Sequence, residues 1–158
     1  MPHGPVLSVS HRAFLGGMRR AILATISPGG RPRQVPICFS LHPDRAVLYT
    51  PIDEKPKRAT DPLALARIRD LAADPRVGVL VDRWSDDWEG LGWLRLDGRA
   101  NVLDAAETHG ERAAAIAALR ARYPQYTTHA LEARPLIRIE IDRVTAWGEL
   151  AASDDPPD

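Results

Sequence analysis

The chain has a single cysteine, only two lysines, no long apolar run and no excess of either charge. Each shortage excludes something. With only Cys38, no intrachain disulfide can form, which fits a reducing compartment. Cys38 sits between Ile37 and Phe39 and reads as a buried structural thiol rather than a nucleophile. No apolar stretch approaches the ~18 residues of a membrane span, so no membrane partner is expected. The N-terminus lacks a basic region followed by an apolar one, so no secretory signal is expected and the protein reads as cytoplasmic. The 21 basic residues equal the 21 acidic ones, and this zero net charge argues against a nucleic-acid partner held by bulk charge.

The familiar catalytic signatures are missing too. There is no G-x-G-x-x-G after a strand, no G-x-x-x-x-G-K-[ST] and no H-E-x-x-H. Neither C-x-x-C nor G-x-S-x-G occurs. The histidines (His3, His11, His42, His109 and His129) are scattered, so a metal or triad site would need them to converge in the tertiary structure. Asp82, Asp86, Asp87 and Glu89 share one loop but lack the spacing of a calcium loop, and no metal is expected. The catalytic residues therefore stay unknown. A binding constellation without a protein nucleophile fits an enzyme whose chemistry belongs to a bound cofactor.

What is present centres on residues 47–58, V-L-Y-T-P-I-D-E-K-P-K-R. Val47, Leu48, Tyr49 and Thr50 suit a half-buried strand. Pro51 weakens it, Asp53 and Glu54 turn the chain, and Lys55, Lys57 and Arg58 follow. A helical pattern comes next, with Leu65, Ile68 and Leu71. Three cations between a strand's end and a helix's start can act with helix N-terminal amides on a phosphate or carboxylate. Basic residues there oppose the helix dipole, so a purely structural helix start does not call for them. Both lysines of an otherwise arginine-using chain fall in this stretch, and a compact point charge suits a phosphate oxygen. The plainer alternative is a solvated basic turn.

The rest reads as one domain over residues 1–158, with 44% apolar and 27% charged residues as in an ordinary globular protein. An irregular arm is expected over residues 1–9, then a short helix capped by Ser10 and running to Arg20. Residues 21–27 read as a buried strand, and Pro28, Gly29 and Gly30 as a hairpin turn. Residues 31–41 read as one strand whose Pro32 and Pro36 place it at an edge. With the strand 45–52 these make an antiparallel meander. A helix from Pro62 to Ala73, capped by Asp61, has Arg67, Arg69 and Asp70 off its apolar face. Residues 77–81 form a central strand in which Gly78 marks a bulge or close approach.

The loop 82–92 carries Trp84 and Trp88, expected to pack over a cleft or a partner subunit. In the strand 93–103, Trp93, Arg95, Asp97 and Arg99 alternate with Leu94, Leu96 and Ala100. Asp104 caps a helix reaching Arg122, with Ala113, Ile116, Ala117 and Leu119 to Ala121 inside and Arg112, Arg120 and Arg122 mostly solvated. A turn or short helix spans 123–132. In the last strand, 134–148, Ile137, Ile139 and Ile141 alternate with charge. A disordered tail is expected over 150–158. The fold class is mainly β (α+β): a six-stranded antiparallel split β-barrel of Greek-key type with peripheral helices.

The succession A-I-L-A-T-I-S-P-G-G-R-P-R-Q-V-P-I, V-L-Y-T-P-I-D-E-K-P-K-R, D-P-R-V-G-V-L-V-D and W-L-R-L-D-G-R-A resembles the split β-barrel flavin reductase superfamily, which includes pyridoxamine 5'-phosphate oxidase. The K-P-K-R cluster, the loop D-R-W-S-D-D-W and the following W-L-R-L-D-G look most like its deazaflavin branch, the coenzyme F420-dependent oxidoreductases. The likeness covers roughly residues 12–148.

The resemblance implies an FMN-binding split-barrel fold and a homodimer with cofactor sites at the interface. It implies that Arg33, Gln34, Val35 and Pro36 lie along the ring through backbone contacts, with Tyr49 and Thr50 beneath ring and side chain. Lys55, Lys57 and Arg58 would hold the phosphate, and Trp93 and Arg95 would come from the later strand, across the dimer. Trp147 resembles a further family position. The implied activity is hydride transfer between coenzyme F420 and a small unsaturated molecule, with Tyr49 or water giving the proton. The alternatives are an FMN-dependent oxidase or reductase and a non-catalytic flavin or haem carrier. The chain lacks the C-terminal extension of pyridoxamine phosphate oxidase itself, which puts that substrate in doubt.

Overall fold

The computed structural model describes residues 6–52, 65–105 and 110–150. Among these, seven strands form one antiparallel sheet in the order β2-β1-β5-β6-β7-β4-β3. In chain order they are β1 (Ala21–Ile26), β2 (Pro32–Ile37), β3 (Ser40–Leu41), β4 (Val47–Pro51), β5 (Arg76–Arg83), β6 (Gly92–Leu103) and β7 (Leu136–Gly148). The helices are α1 (Val9–Gly17), α2 (Ala66–Ala73) and α3 (Gly110–Arg122).

One connection dictates the curl of this sheet. β2 and β3 stand at opposite ends of the strand order, yet only Cys38 and Phe39 separate them in the chain. Three chain steps reach about 10 Å, whereas the outer strands of a flat seven-stranded sheet lie roughly 29 Å apart. The sheet therefore bends round until its ends nearly meet, leaving a half-barrel with a seam between β2 and β4. This break also corrects two expectations. The 31–41 stretch makes two strands, giving seven rather than six. No meander forms, because β2 pairs only with β1 while β4 pairs with β3 and β7. The apolar run from Val35 to Phe39 hid the break.

Period-two alternation sorts the strands' faces. Leu94, Leu96 and Ala100 of β6, Val77, Val79 and Val81 of β5, and Ile137, Ile139 and Ile141 of β7 all point inward. α1 and α2 contribute Phe14, Leu15, Ile68 and Leu71 to the same core. α3 covers the other face of β4 and β7, where Val47, Tyr49 and Leu136 meet Ile116 and Leu119. β4 is thus buried on both sides along its whole length, not half-buried.

Several local expectations shift. α1 starts two residues earlier: Ser8 rather than Ser10 is its N-cap, the Ser8 hydroxyl accepts from the His11 amide at 3.1 Å, and His11 reaches back to the Ser8 amide. It ends at Gly17 rather than Arg20. α2 begins at Ala66, with Leu65 at its N-cap, and Asp61 and Pro62 lie outside the described residues. The bulge sits at Asp97/Gly98 rather than at Gly78. A Cβ at Gly98 would run into the Glu140 carbonyl oxygen, whereas one at Gly78 would meet only the Ala24 methyl at 3.9 Å.

The α3 face is also rotated. Arg112, Ala115, Ile116 and Leu119 are buried, while Ala113, Ala117 and Ala121 are exposed. Its arginines are clasps rather than solvated charge. Arg112 donates to the carbonyls of Leu131 (3.3 Å) and Arg134. Arg120 pairs with Glu132 and reaches the His129 carbonyl at 2.7 Å. Arg122 donates to the carbonyls of Leu15, Gly16 and Met18 at the end of α1, and lies 4.7 Å over the Phe39 ring. The first five residues and residues 151–158 are outside the described set, but Leu7 of the expected irregular arm is buried in the core.

Candidate functional site

The seam holds a cavity of about 450 Å³, within the size range of small-molecule sites. β2 forms one wall with Arg33, Gln34, Val35 and Pro36, and β4 the opposite wall with Thr50 and Pro51. Leu65, Arg67 and Asp70 close one end, at the start of and along α2, and Tyr126 adds an aromatic surface. β2 is terminal in the sheet, so among the described residues its outer edge has no partner strand and can offer backbone groups to a ligand. Pro32 and Pro36 thus sit at an edge, as expected for residues with no N–H.

Five of the residues singled out from sequence therefore converge: Arg33, Gln34, Val35, Pro36 and Thr50. Lys55, Lys57 and Arg58 lie outside the described residues. The chain on either side of them lines the cavity, with Thr50 and Pro51 before and Leu65, Ala66 and Arg67 after.

Tyr49 departs from expectation. Alternation along β4 sends Thr50 toward the seam and Tyr49 toward α3. Only 2% exposed, its hydroxyl donates to Glu111 at 2.6 Å. Burial, then that hydrogen bond, pushes the hydroxyl well above its ordinary pKa. The Glu111 carboxylate is held low by Tyr49 and by Arg138, whose Nε donates to it at 2.8 Å. Such a sequestered phenol is a poor proton donor to a ligand in the seam.

Trp93 and Arg95, expected to act from across a dimer, lie outside the seam cavity of their own chain. They point from the outer face of β6 into a groove of about 580 Å³ shared with Leu80, Trp84 and Trp147. Trp93 stacks on Trp147, its cross-strand partner, with ring centroids 6.5 Å apart. Trp84, Trp88 and Trp147 are exposed, as is Leu80. Gln34 borders both this groove and the seam cavity, so the β2 edge links them.

The cavity contains residues the sequence did not announce. Cys38 is half-buried rather than fully buried: it packs against the core cluster under α3 and also lines the cavity wall. Asp70, placed on the outer flank of its helix by periodicity, is wholly buried. α2 leans that flank against β1 and β2, a tertiary contact with no local signal. Asp70 accepts a hydrogen bond from Thr25 at 2.8 Å, and Arg33 approaches within 3.6 Å.

The profile of the pyridoxamine 5'-phosphate oxidase family matches residues 8–148. The chain belongs to that family. Solved structures of the family's split-barrel type resemble it throughout. The Mycobacterium tuberculosis protein Rv2991 superposes with a TM-score of 0.68 at 21% identity, covering 91% of this chain and 86% of its own. HutZ, the haem storage protein of Vibrio cholerae, gives 0.67 at 16% identity, covering 90% and 94%. An FAD-binding protein of Mesorhizobium loti gives 0.57 at 26% identity, covering 85% and 87%. Among curated proteins none matches the chain. The described residues of this family member include no cluster of side chains able to hold a metal ion, and no helix long and apolar enough to cross a membrane.

Proposed function

We propose that the seam cavity binds a flavin-type cofactor, coenzyme F420 in the first instance, and that the protein is an oxidoreductase acting on a small unsaturated molecule. The observation that carries this reading is the convergence of Arg33, Gln34, Val35, Pro36 and Thr50 on one cavity at a free strand edge. The residues fit such a group. An edge strand offers donors and acceptors to a planar ring, Val35 and Pro36 offer apolar contact, and the half-exposed Arg33 offers positive charge. Lys55, Lys57 and Arg58, in the chain between two cavity-lining segments, would hold the phosphate.

When bound, the cofactor supplies hydride transfer at its ring. The chain's own residues orient and shelter it. The β2 edge and Thr50 fix its position, and Pro51, Leu65 and Tyr126 exclude water from the cavity wall. Tyr49 is tied to Glu111, so the proton comes from water in this scheme. A second copy of the chain covers the outer groove, and its Trp93 and Arg95 complete the neighbouring site.

A second reading, FMN or FAD in place of the deazaflavin, is favoured by the FAD-binding Mesorhizobium loti structure, which is 26% identical to this chain. A titration followed by tryptophan quenching, with oxidised F420 and FMN in separate arms, tests both. Tighter F420 binding, weakened about tenfold or more by Lys57→Ala, is the expected result. Tighter FMN binding selects the second reading. Binding of neither removes the cofactor claim.

A further inference from the structure

We propose that Asp70 is a positioning residue for Arg33, a role that rests on the cofactor reading of the seam cavity. Thr25 and Arg33 are cross-strand partners on β1 and β2, so their side chains share one face of the sheet. α2 brings the Asp70 carboxylate down onto that face. One oxygen, Oδ2, takes the Thr25 hydroxyl at 2.8 Å. The other, Oδ1, is buried and has no hydrogen-bond partner among the described residues. Arg33 Nη1 stands 3.6 Å from it, close enough for an ion pair but beyond hydrogen-bond length.

A buried carboxylate with an unused oxygen is costly, and a cation within reach is the usual remedy. Here that cation belongs to a half-exposed side chain on the cavity wall, 48% accessible against 1% for Asp70. Solvent weakens the pair in the open cavity. A ligand that fills the cavity excludes that solvent and lowers the local dielectric, which strengthens the attraction. Arg33 is then drawn onto Oδ1 with its remaining N–H donors turned toward a ligand oxygen. Asp70 thus acts through Arg33 and need not touch the ligand. Its negative charge also disfavours an anionic group at this end of the cavity, leaving it for the ring.

The test is a double-mutant cycle on cofactor affinity, using FMN and oxidised F420 as probes. Asp70→Asn keeps the size and the Thr25 contact while removing the charge. Asp70→Asn and Arg33→Ala should each raise Kd about tenfold, and the double variant should be no worse than Arg33→Ala alone. Melting temperature is followed in parallel, since a merely structural Asp70 would lower it equally in both Arg33 backgrounds without this non-additivity. Losses that multiply to roughly a hundredfold, or an unchanged Kd in Asp70→Asn, overturn the proposal. If Asp70→Asn does not fold, nitrogen NMR of the wild-type Arg33 guanidinium decides. Hindered Cζ–Nη rotation on ligand addition supports the tether, and free rotation rejects it. Wild-type protein that binds neither probe sinks the functional reading and this inference together, an outcome distinct from multiplying losses.

Discussion

Glu111 is the residue with the most to say about pH. The Tyr49 hydroxyl and then the Arg138 guanidinium hold its carboxylate below the ordinary range, with Arg45 adding attraction at 3.5 Å. A depressed folded-state pKa means that the stabilisation is complete above the unfolded value, about 4.3 for Glu, and is lost as pH falls through the folded value. Asp74 and Glu132, held at about 2 by Arg76 and Arg120, extend the loss to lower pH. Thermal melts should therefore show stability falling from about pH 4.5 toward 2, and Glu111→Gln should flatten the upper part of that decline. An unchanged slope would show that Glu111 is not coupled to folding. Tyr49→Phe should cost about 1 kcal/mol in chemical denaturation, because Glu111 keeps Arg138. It should leave cofactor affinity within twofold, since Tyr49 faces α3 and not the seam. A large loss of affinity would restore Tyr49 to the site.

At the scale of elements, the bulge inside the long β6/β7 pair is held by Gly98. The pair's register shifts at Asp97/Gly98, where a side chain would collide with the Glu140 carbonyl oxygen. Gly98→Ala should destabilise the protein by about 1–3 kcal/mol in urea, while Gly78→Ala, meeting only a methyl group at ordinary contact distance, should stay within about 1 kcal/mol. Reversed magnitudes would contradict the placement of the bulge. The contrast also shows what was legible in the sequence. Alternation on β5, β6 and β7 could be read directly, because each has one face in the core. Gly78 and Gly98 both interrupt such patterns, and nothing local distinguishes the one a neighbouring carbonyl crowds. α3 misled for a similar reason: its small alanines fit either face, and its arginines look solvated until their carbonyl partners arrive from α1 and the turns before β7.

For the whole molecule, closure was the feature hardest to read. The β2 segment Arg33–Pro36 and Thr50 of β4 could be named from sequence, but the seam that unites them exists only because the two ends of the sheet meet. Asp70 went unread because its burial comes from that same long-range packing. The outer face poses the matching question of assembly. Exposed Leu80, Trp84 and Trp147 border an apolar groove, a surface that monomers seldom leave open. Analytical ultracentrifugation should find a dimer of the 158-residue chain, and Trp147→Glu should shift it to monomer and weaken cofactor binding with it. A wild-type monomer that still binds cofactor at full strength would reject the shared site.

The most direct test of the central claim is a crystal structure of the protein with whichever of F420 or FMN binds more tightly. Ring density is expected along the free edge of β2, between Arg33–Pro36 and Thr50, with Lys57 within hydrogen-bond reach of the phosphate. Ligand density confined to the outer tryptophan groove, with the seam left to water, would contradict it.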